Sequence, residues 1–244
     1  MKIAVLISGL PRSFQRCHQF YKLAIGNPLG NPDIFISTTS WDITKQDRAV
    51  VVGDPNSLAW YPEDGKAEEM IDLYQPVSHE IEVHNDHTLE QKFKYSDFVE
   101  RTTKFCVGSP YGWSISTSVL PMLYRFYRAN QLRKEHERLN GFEYDIVIRT
   151  RSDLEYDGEF SSIDFDLLKK SRLILGKISE TNHLADLCVA GSGKIMDIYC
   201  DLYWCLEKTM ERSGVIVPEH NMMAHLRSRN ITWDRFPFNL EMIR

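Results

Sequence analysis

Short apolar runs alternate along the chain with longer segments whose apolar positions recur at helical spacing. Lys2–Ser8 (KIAVLIS) is a continuous run of the kind found in a strand covered on both faces. Gly9–Ser13 (GLPRS) is turn-forming, and Phe14–Ala24 carries a helical pattern. Asp33–Ser37 (DIFIS) predicts a second buried strand, which gives out into the polar stretch Thr38–Asp42. Residues 43–65 read as loop, Ala67–Tyr74 as a short helix and His79–Val83 as a third, more exposed strand. Residues 84–116 are polar with scattered aromatics and no clear period, the mark of a binding loop or lid. Ser118–Leu139 has the clearest helical stripe, through Val119, Met122, Leu123, Phe126, Tyr127 and Asn130. Pro121 fits near the start of that helix, where a missing N–H does no harm. Tyr144–Thr150, Arg172–Leu175 and Leu187–Ala190 predict further strands, and Lys194–Arg212 and Val217–Arg229 further helices. With no internal repeat and no linker, this rhythm predicts one α/β domain, a mostly parallel sheet flanked by helices.

Composition narrows the function classes. A chain of 244 residues, 43% hydrophobic, buries enough surface to fold without a disulfide or a metal. Its 29 basic and 34 acidic residues leave a net charge of −5, which argues against non-specific nucleic-acid binding. An anionic ligand therefore has to be held by a local cluster of Arg. No stretch approaches the roughly 18 apolar residues of a transmembrane helix, and the N-terminal MKIAVLISGLPR is too short an apolar run for a signal peptide. Five cysteines without a C-x-x-C pair read as reduced, mostly buried thiols, which predicts a cytoplasmic location.

The chemistry concentrates where the strand Tyr144–Thr150 runs into Arg149, Arg151, Asp153, Glu155 and Asp157. Period-two alternation would aim all five to one side while the strand lasts. Ligands of open α/β sheets sit at the carboxyl ends of the strands, where this group lies. Guanidinium groups beside carboxylates suit a metal-bound diphosphate, with Arg149 and Arg151 on phosphate oxygens and carboxylate oxygens of the cluster on Mn²⁺ or Mg²⁺. The GLPRS turn is expected at the same edge, Gly9 allowing close approach of a ligand and Arg12 reaching a phosphate or ribose.

Together these segments resemble the small GT-A-fold glycosyltransferase-like proteins of viruses, phages and bacteria. Those proteins open with a strand followed by ISG-x-PR and carry a YD-x-VIR-x-R-x-D-L segment; this chain has ISGLPR and YDIVIRTRSDL. Ile34-Phe35-Ile36 leading to Trp41-Asp42, the stretch Asp186–Tyr199, and Pro218-Glu219 followed by His225-Leu226 match the same layout. The resemblance implies a GT-A-like fold that moves a sugar from a nucleoside-diphosphate sugar to a hydroxyl of a glycan or other acceptor. It also implies Mn²⁺ or Mg²⁺ on a D-x-D-like motif, Trp41 and Asp42 on the nucleoside, and Asp186 as the base facing the acceptor. Residues 84–116 would then shape the acceptor side. One departure matters: Arg151 stands two before Asp153, so the motif has to be read as Asp153-Leu154-Glu155, or else Arg151 replaces part of the metal's charge. Two other readings stay open. Pro11-Arg12-Ser13 resembles the start of the phosphate loop of PAPS-dependent sulfotransferases, although Phe14 stands where that loop has Gly. A non-catalytic nucleotide-sugar or partner-binding module gains if Arg151 locks Asp153.

Overall fold

The computed structural model describes residues 1–41, 67–84, 86–105, 114–168, 172–177 and 184–243. Its first half winds β1 (Ile3–Gly9), α1 (Phe14–Tyr21, continued by a π-helical turn Lys22–Gly26), β2 (Asp33–Trp41), α2 (Ala67–Tyr74) and β3 (Ser78–His84). Then come α3 (Asp86–Phe93), α4 (Tyr95–Thr102, followed by a 3₁₀ turn Thr103–Phe105) and the long α5 (Ser114–Asn140). The second half holds β4 (Ile146–Thr150), β5 (Leu154–Tyr156), α6 (Phe165–Leu168), β6 (Arg172–Lys177) and β7 (Leu184–Gly191). It closes with α7 (Gly193–Cys200), α8 (Leu202–Ser213), α9 (Pro218–Ser228), β8 (Thr232–Arg235) and β9 (Leu240–Met242). Seven strands form one sheet in the order β3-β2-β1-β4-β7-β6-β8, and β5 pairs with β9 in a small ribbon. Strand β1 pairs in parallel with both β2 and β4, β2 with β3, and β6 with β8, while β7 runs antiparallel to its neighbours. The expected mostly parallel α/β sheet flanked by helices is what the chain forms.

Strict alternation sorts the strand residues between two cores. Ile3, Val5, Ile7, Ile36, Ile146 and Ile148 pack with α1 and α2 residues such as Phe14, Tyr21 and Met70. Ala4, Leu6, Phe35, Val147 and Val189 face the other way, onto Leu123, Phe126 and Ala129 of α5 and Met196 and Tyr199 of α7. The winding moves from β1 outward to β2 and β3, then returns to place β4 on the opposite side of β1. That reversal is a topological switch point, and it opens a crevice at the carboxyl ends of β1 and β4.

The α5 face of the sheet carries charge as well as apolar surface. Arg125 is buried, and its guanidinium donates to Ser37 Oγ, the Thr38 carbonyl and Glu80, and pairs with Glu82. Arg128 forks onto Glu80 with Nε–Oε2 of 3.0 Å and Nη2–Oε2 of 2.7 Å. Arg133, equally buried, binds Glu137 at 2.8 Å and Asp197 of α7 at 2.5 Å. These pairs tie α5 to β3 and α7 in fixed register, and the buried Arg125 and Arg133 charges are compensated.

Four expectations need correction. Within the segment 84–116 expected as a loop, Asp86–Phe93 and Tyr95–Thr102 are helices, α3 and α4; Phe93 and Phe98 are the buried anchors that short polar helices hide from a periodicity reading. Pro121 lies inside α5, which begins at Ser114. The helix expected over 194–212 is broken at Asp201 into α7 and α8. The stretch Thr38–Trp41 continues β2: Thr38 Oγ1 donates to the Gly9 carbonyl at 2.8 Å, so polar side chains sit in a buried strand with their hydrogen bonds made. Among the described cysteines none is paired, and burial pushes the Cys17, Cys188 and Cys200 thiols up to about 12.

Two stability predictions follow from these contacts. Arg125→Met strips Glu80 and Glu82 of a buried partner and is expected to lower the urea-unfolding free energy by about 2–3 kcal/mol, Arg125→Met/Glu82→Gln losing less. His225 of α9 is buried and donates Nε2–H to the Ile198 carbonyl at 2.7 Å, and burial holds its pKa below 6.5. The folded state therefore resists protonation that the unfolded chain accepts. Its contribution is complete above about pH 6.5 and is lost as the pH falls below that, at up to about 1.4 kcal/mol per unit. His18, also lowered chiefly by burial, adds in the same sense. A falling melting temperature between about pH 6.5 and pH 5, made shallower by His225→Gln, checks this assignment.

Candidate functional site

The switch-point crevice gathers the two segments that the sequence singles out. Strand β1 ends at Gly9, whose φ of +125° suits glycine, and a Cβ built there would meet no atom within 4 Å. The chain then turns through Leu10, Pro11 and Arg12 into α1, with Ser13 in the left-handed region at φ 45°. The first turn of α1 carries no acidic residue of its own and no side-chain cap. Across the crevice β4 ends at Thr150, and the next residues are stitched to the turn. Ser152 Oγ donates to the Leu10 carbonyl at 3.2 Å and reaches the Arg12 carbonyl at 3.4 Å. Residues some 140 apart in the chain are thus held side by side.

Arg151, Asp153 and Arg149 behave differently from one another. Arg151 forks onto Asp153, Nε to Oδ1 at 2.8 Å and Nη2 to Oδ2 at 2.6 Å. Asp153 is only 3% exposed, whereas the Arg151 side chain keeps 22% exposure at the rim. The Asp153 carbonyl is held in turn by the Ile243 N–H at 3.0 Å. Arg149, expected on a phosphate, is 1% exposed on the α5 face. Its Nε donates to Ser8 Oγ at 2.9 Å, its Nη1 contacts the Leu187 carbonyl at 3.4 Å, and its guanidinium lies 3.4 Å from the Phe126 ring centre. It supports the ends of β1 and β7 from beneath and does not reach the crevice surface. The single row expected from alternation therefore does not form, because β4 stops at Thr150 and residues 154–156 belong to the separate ribbon with β9. Glu155 is registered opposite Glu241 there, and Asp157 accepts from the Asn239 N–H and side chain.

Asp186 lies inside β7, not ahead of it. Because β7 is antiparallel, with Val147 opposite Gly191 and Arg149 opposite Val189, its first residues reach the level of 151–153. Beside β6 the register jumps: Leu175 pairs with Val189 and Gly176 with Ala185, so Asp186–Cys188 form a bulge. Bulges are a recurrent means of re-aiming residues near sites, and Asp186 lies in this one. Trp41 is the last residue of β2, registered with His84, again at the carboxyl edge. Asp42 lies outside the described residues. Sequence reasoning missed Ser152, the residue that joins the two segments; a lone Ser between two charged residues carries no signal of its own.

The Mn²⁺ or Mg²⁺ expected from the sequence can be tested against this donor set. A hard divalent ion wants negatively charged oxygens with unoccupied lone pairs and room for water. Both Asp153 oxygens already accept from a guanidinium, its charge is matched, and water is nearly excluded. His225 gives its Nε2 to a backbone carbonyl. Among the described residues no group of three or more His, Cys, Asp or Glu side chains is placed to hold a metal ion. The described residues do not fit a divalent cation in this arrangement.

A separate cleft of 240 Å³ lies between α4, α5 and α8, lined by Phe98, Arg101, Leu120, Tyr203, Trp204 and Glu207 among others, and shares no residue with the crevice. No helix among the described residues is long and apolar enough to cross a membrane.

No protein-family description matches the sequence, and no curated protein matches it. Among solved structures, apo mouse xyloside xylosyltransferase 1 superimposes with a TM-score of 0.41 and 10% identity, over 96% of this chain and 84% of that one.

Proposed function

We propose that the chain is a glycosyltransferase of GT-A-like fold that moves a sugar from a nucleoside-diphosphate sugar to an acceptor hydroxyl. The observation that carries this reading is the Ser152 stitch, which brings the GLPRS turn and the Arg151–Asp153 pair together at the switch point of a parallel sheet. In this reading the open backbone at Gly9 lets a diphosphate approach the turn, and Arg12 and Arg151, which flank it in the two segments, serve its phosphate oxygens. Trp41 ends β2 at the same edge, and in this reading it serves the nucleoside together with Asp42.

In an inverting transfer the bond between the anomeric carbon and the diphosphate oxygen breaks, and its electron pair leaves with the diphosphate. The acceptor oxygen bonds to that carbon and gives its proton to a base. Asp186, on its bulge, is the base in this reading. Stabilising the departing diphosphate with fixed donors is the main contribution asked of the protein. Arg149 acts from beneath, holding Ser8 and the Leu187 carbonyl so that the ends of β1 and β7 keep their spacing.

A thermal-shift panel of UDP, GDP, CDP, dTDP and PAP tests the donor class. A stabilising shift of several degrees with one nucleoside diphosphate is expected, since ligand at a hundred times its Kd adds about 2.7 kcal/mol. A shift with PAP alone identifies a sulfotransferase instead. Asp186→Asn is expected to keep the nucleotide shift and to lower transfer from the matching donor by about 100-fold or more; full activity removes Asp186 as the base.

A further inference from the structure

The cleft between α4, α5 and α8 takes no part in the crevice, yet it carries the marks of a site. Trp204 of α8 is 67% exposed, and no other described aromatic side chain is exposed. The indole is nevertheless held firmly. It stands at steep angles to Tyr203, with ring centres 4.8 Å apart, and to Tyr127, at 5.5 Å, so the ring is fixed while most of it meets water. The cleft beside it is lined by the buried Phe98 and Leu206. A rigid, wet aromatic ring next to an apolar hollow marks a binding surface.

The polar groups of the cleft narrow the ligand class. One turn on from Trp204, Glu207 accepts from Arg101 Nη2 of α4 at 2.9 Å. Unlike the forks of Arg151 on Asp153 and Arg128 on Glu80, this pair makes a single contact, and its side chains stay 52% and 55% exposed. Nε and Nη1 of Arg101 and Oε2 of Glu207 are not spent on that contact, so donors and an acceptor lie side by side. The charges of the lining are matched, Arg101 by Glu207 and Lys92 by Glu82. A phosphate would meet the Glu207 carboxylate, and an ammonium would meet the Arg101 guanidinium. A wholly apolar partner would strip the ion pair of water. A pyranose answers every feature: its C–H face is apolar and lies flat on an indole, and its vicinal hydroxyls each donate and accept. The cleft volume of 240 Å³ is below the roughly 300 Å³ at which sites for drug-sized ligands begin, which suits a sugar ring.

We propose that this cleft binds a neutral saccharide, with a pyranose stacked on Trp204 and its hydroxyls bridging Arg101 and Glu207. The proposal does not depend on how the crevice is read, because the two places share no residue.

Saturation-transfer-difference NMR on the full chain, with no nucleotide present, tests it against cellotriose, xylotriose, maltotriose, mannotriose, lactose and triacetylchitotriose. Ring C–H protons of at least one of them are expected to take up saturation, with a Kd of about 0.1–10 mM, as a small contact surface allows. Trp204→Ala is expected to weaken that saccharide by about tenfold or more, and Trp204→Tyr by no more than about threefold, since a ring persists. Arg101→Met/Glu207→Gln, which removes both charges together, is expected to weaken it by about tenfold. All three positions are exposed, so the variants keep the fold. A saccharide that binds Trp204→Ala as well as the parent lies at another place and overturns the assignment, as does silence with the whole panel. Sedimentation velocity at rising protein concentration adds a second check: self-association that Trp204→Ala abolishes gives the cleft to another copy of the chain and overturns the proposal too.

Discussion

The candidate site depends on one pairing: β4 lies parallel against β1 on the side away from β2. That choice sends successive connections to opposite sides of β1 and leaves the carboxyl ends of β1 and β4 uncovered between them. It also fixes which residues meet, since with Leu6 opposite Arg149 and Ile7 opposite Thr150, the turn after β1 and the segment after β4 must emerge together. The Ser152 hydroxyl then converts proximity into a fixed distance. The direction of β7 follows the same logic, as an antiparallel neighbour to β4 delivers its beginning, not its end, to the crevice.

Guanidinium groups do much of the holding in this protein, in two distinct ways. Beneath α5, Arg125 and Arg133 are buried and multiply bonded, joining helix to strand and helix to helix. Arg149 belongs with them by position, set against the Phe126 ring and the hydroxyl of Ser8. At the rim, Arg151 is also paired but remains partly exposed. Identical side chains thus end as buried fasteners or at the partly exposed rim according to whether the strand under them continues. Arg149 is within β4; Arg151 is just past its end.

Much of the fold was legible because the strands are buried on both faces and announce themselves as apolar runs. KIAVLIS and DIFIS needed no context, and AEEMIDLY had a full amphipathic period. Legibility failed where tertiary partners satisfied polar residues. Thr38 and Thr39 read as the end of a strand, but they continue it, because Gly9, Arg125 and β3 meet their hydrogen bonds. Among the described side chains, α3 buries Phe93 and α4 buries Phe98 and Thr102, too weak a stripe to see in one sequence. At the candidate site, the sequence pointed to Gly9, Arg12, Arg151 and Asp153, and the structure brings their two segments side by side. The sequence could not show that Arg149 points to the other core, that Asp153 is bound to Arg151, or that Asp186 sits on a bulge. Each of those depends on where a strand stops or slips register, which pairing partners decide.

The carboxylates that β3 sends toward α5 have a consequence for the protein's behaviour in crowded solution. Strand β3 is an outer strand of the sheet, and an outer strand offers unpaired backbone groups to any other extended chain. Glu80 and Glu82 alternate along it and are held inward by Arg125 and Arg128. A foreign strand docking there would have to lie beside these charges. The opposite outer strand, β8, is short, mostly exposed, and carries the Arg172–Asp234 pair across to β6. Both rims of the sheet are thereby poor templates for cross-β growth, so the charges that register α5 on the sheet also guard the molecule against aggregation.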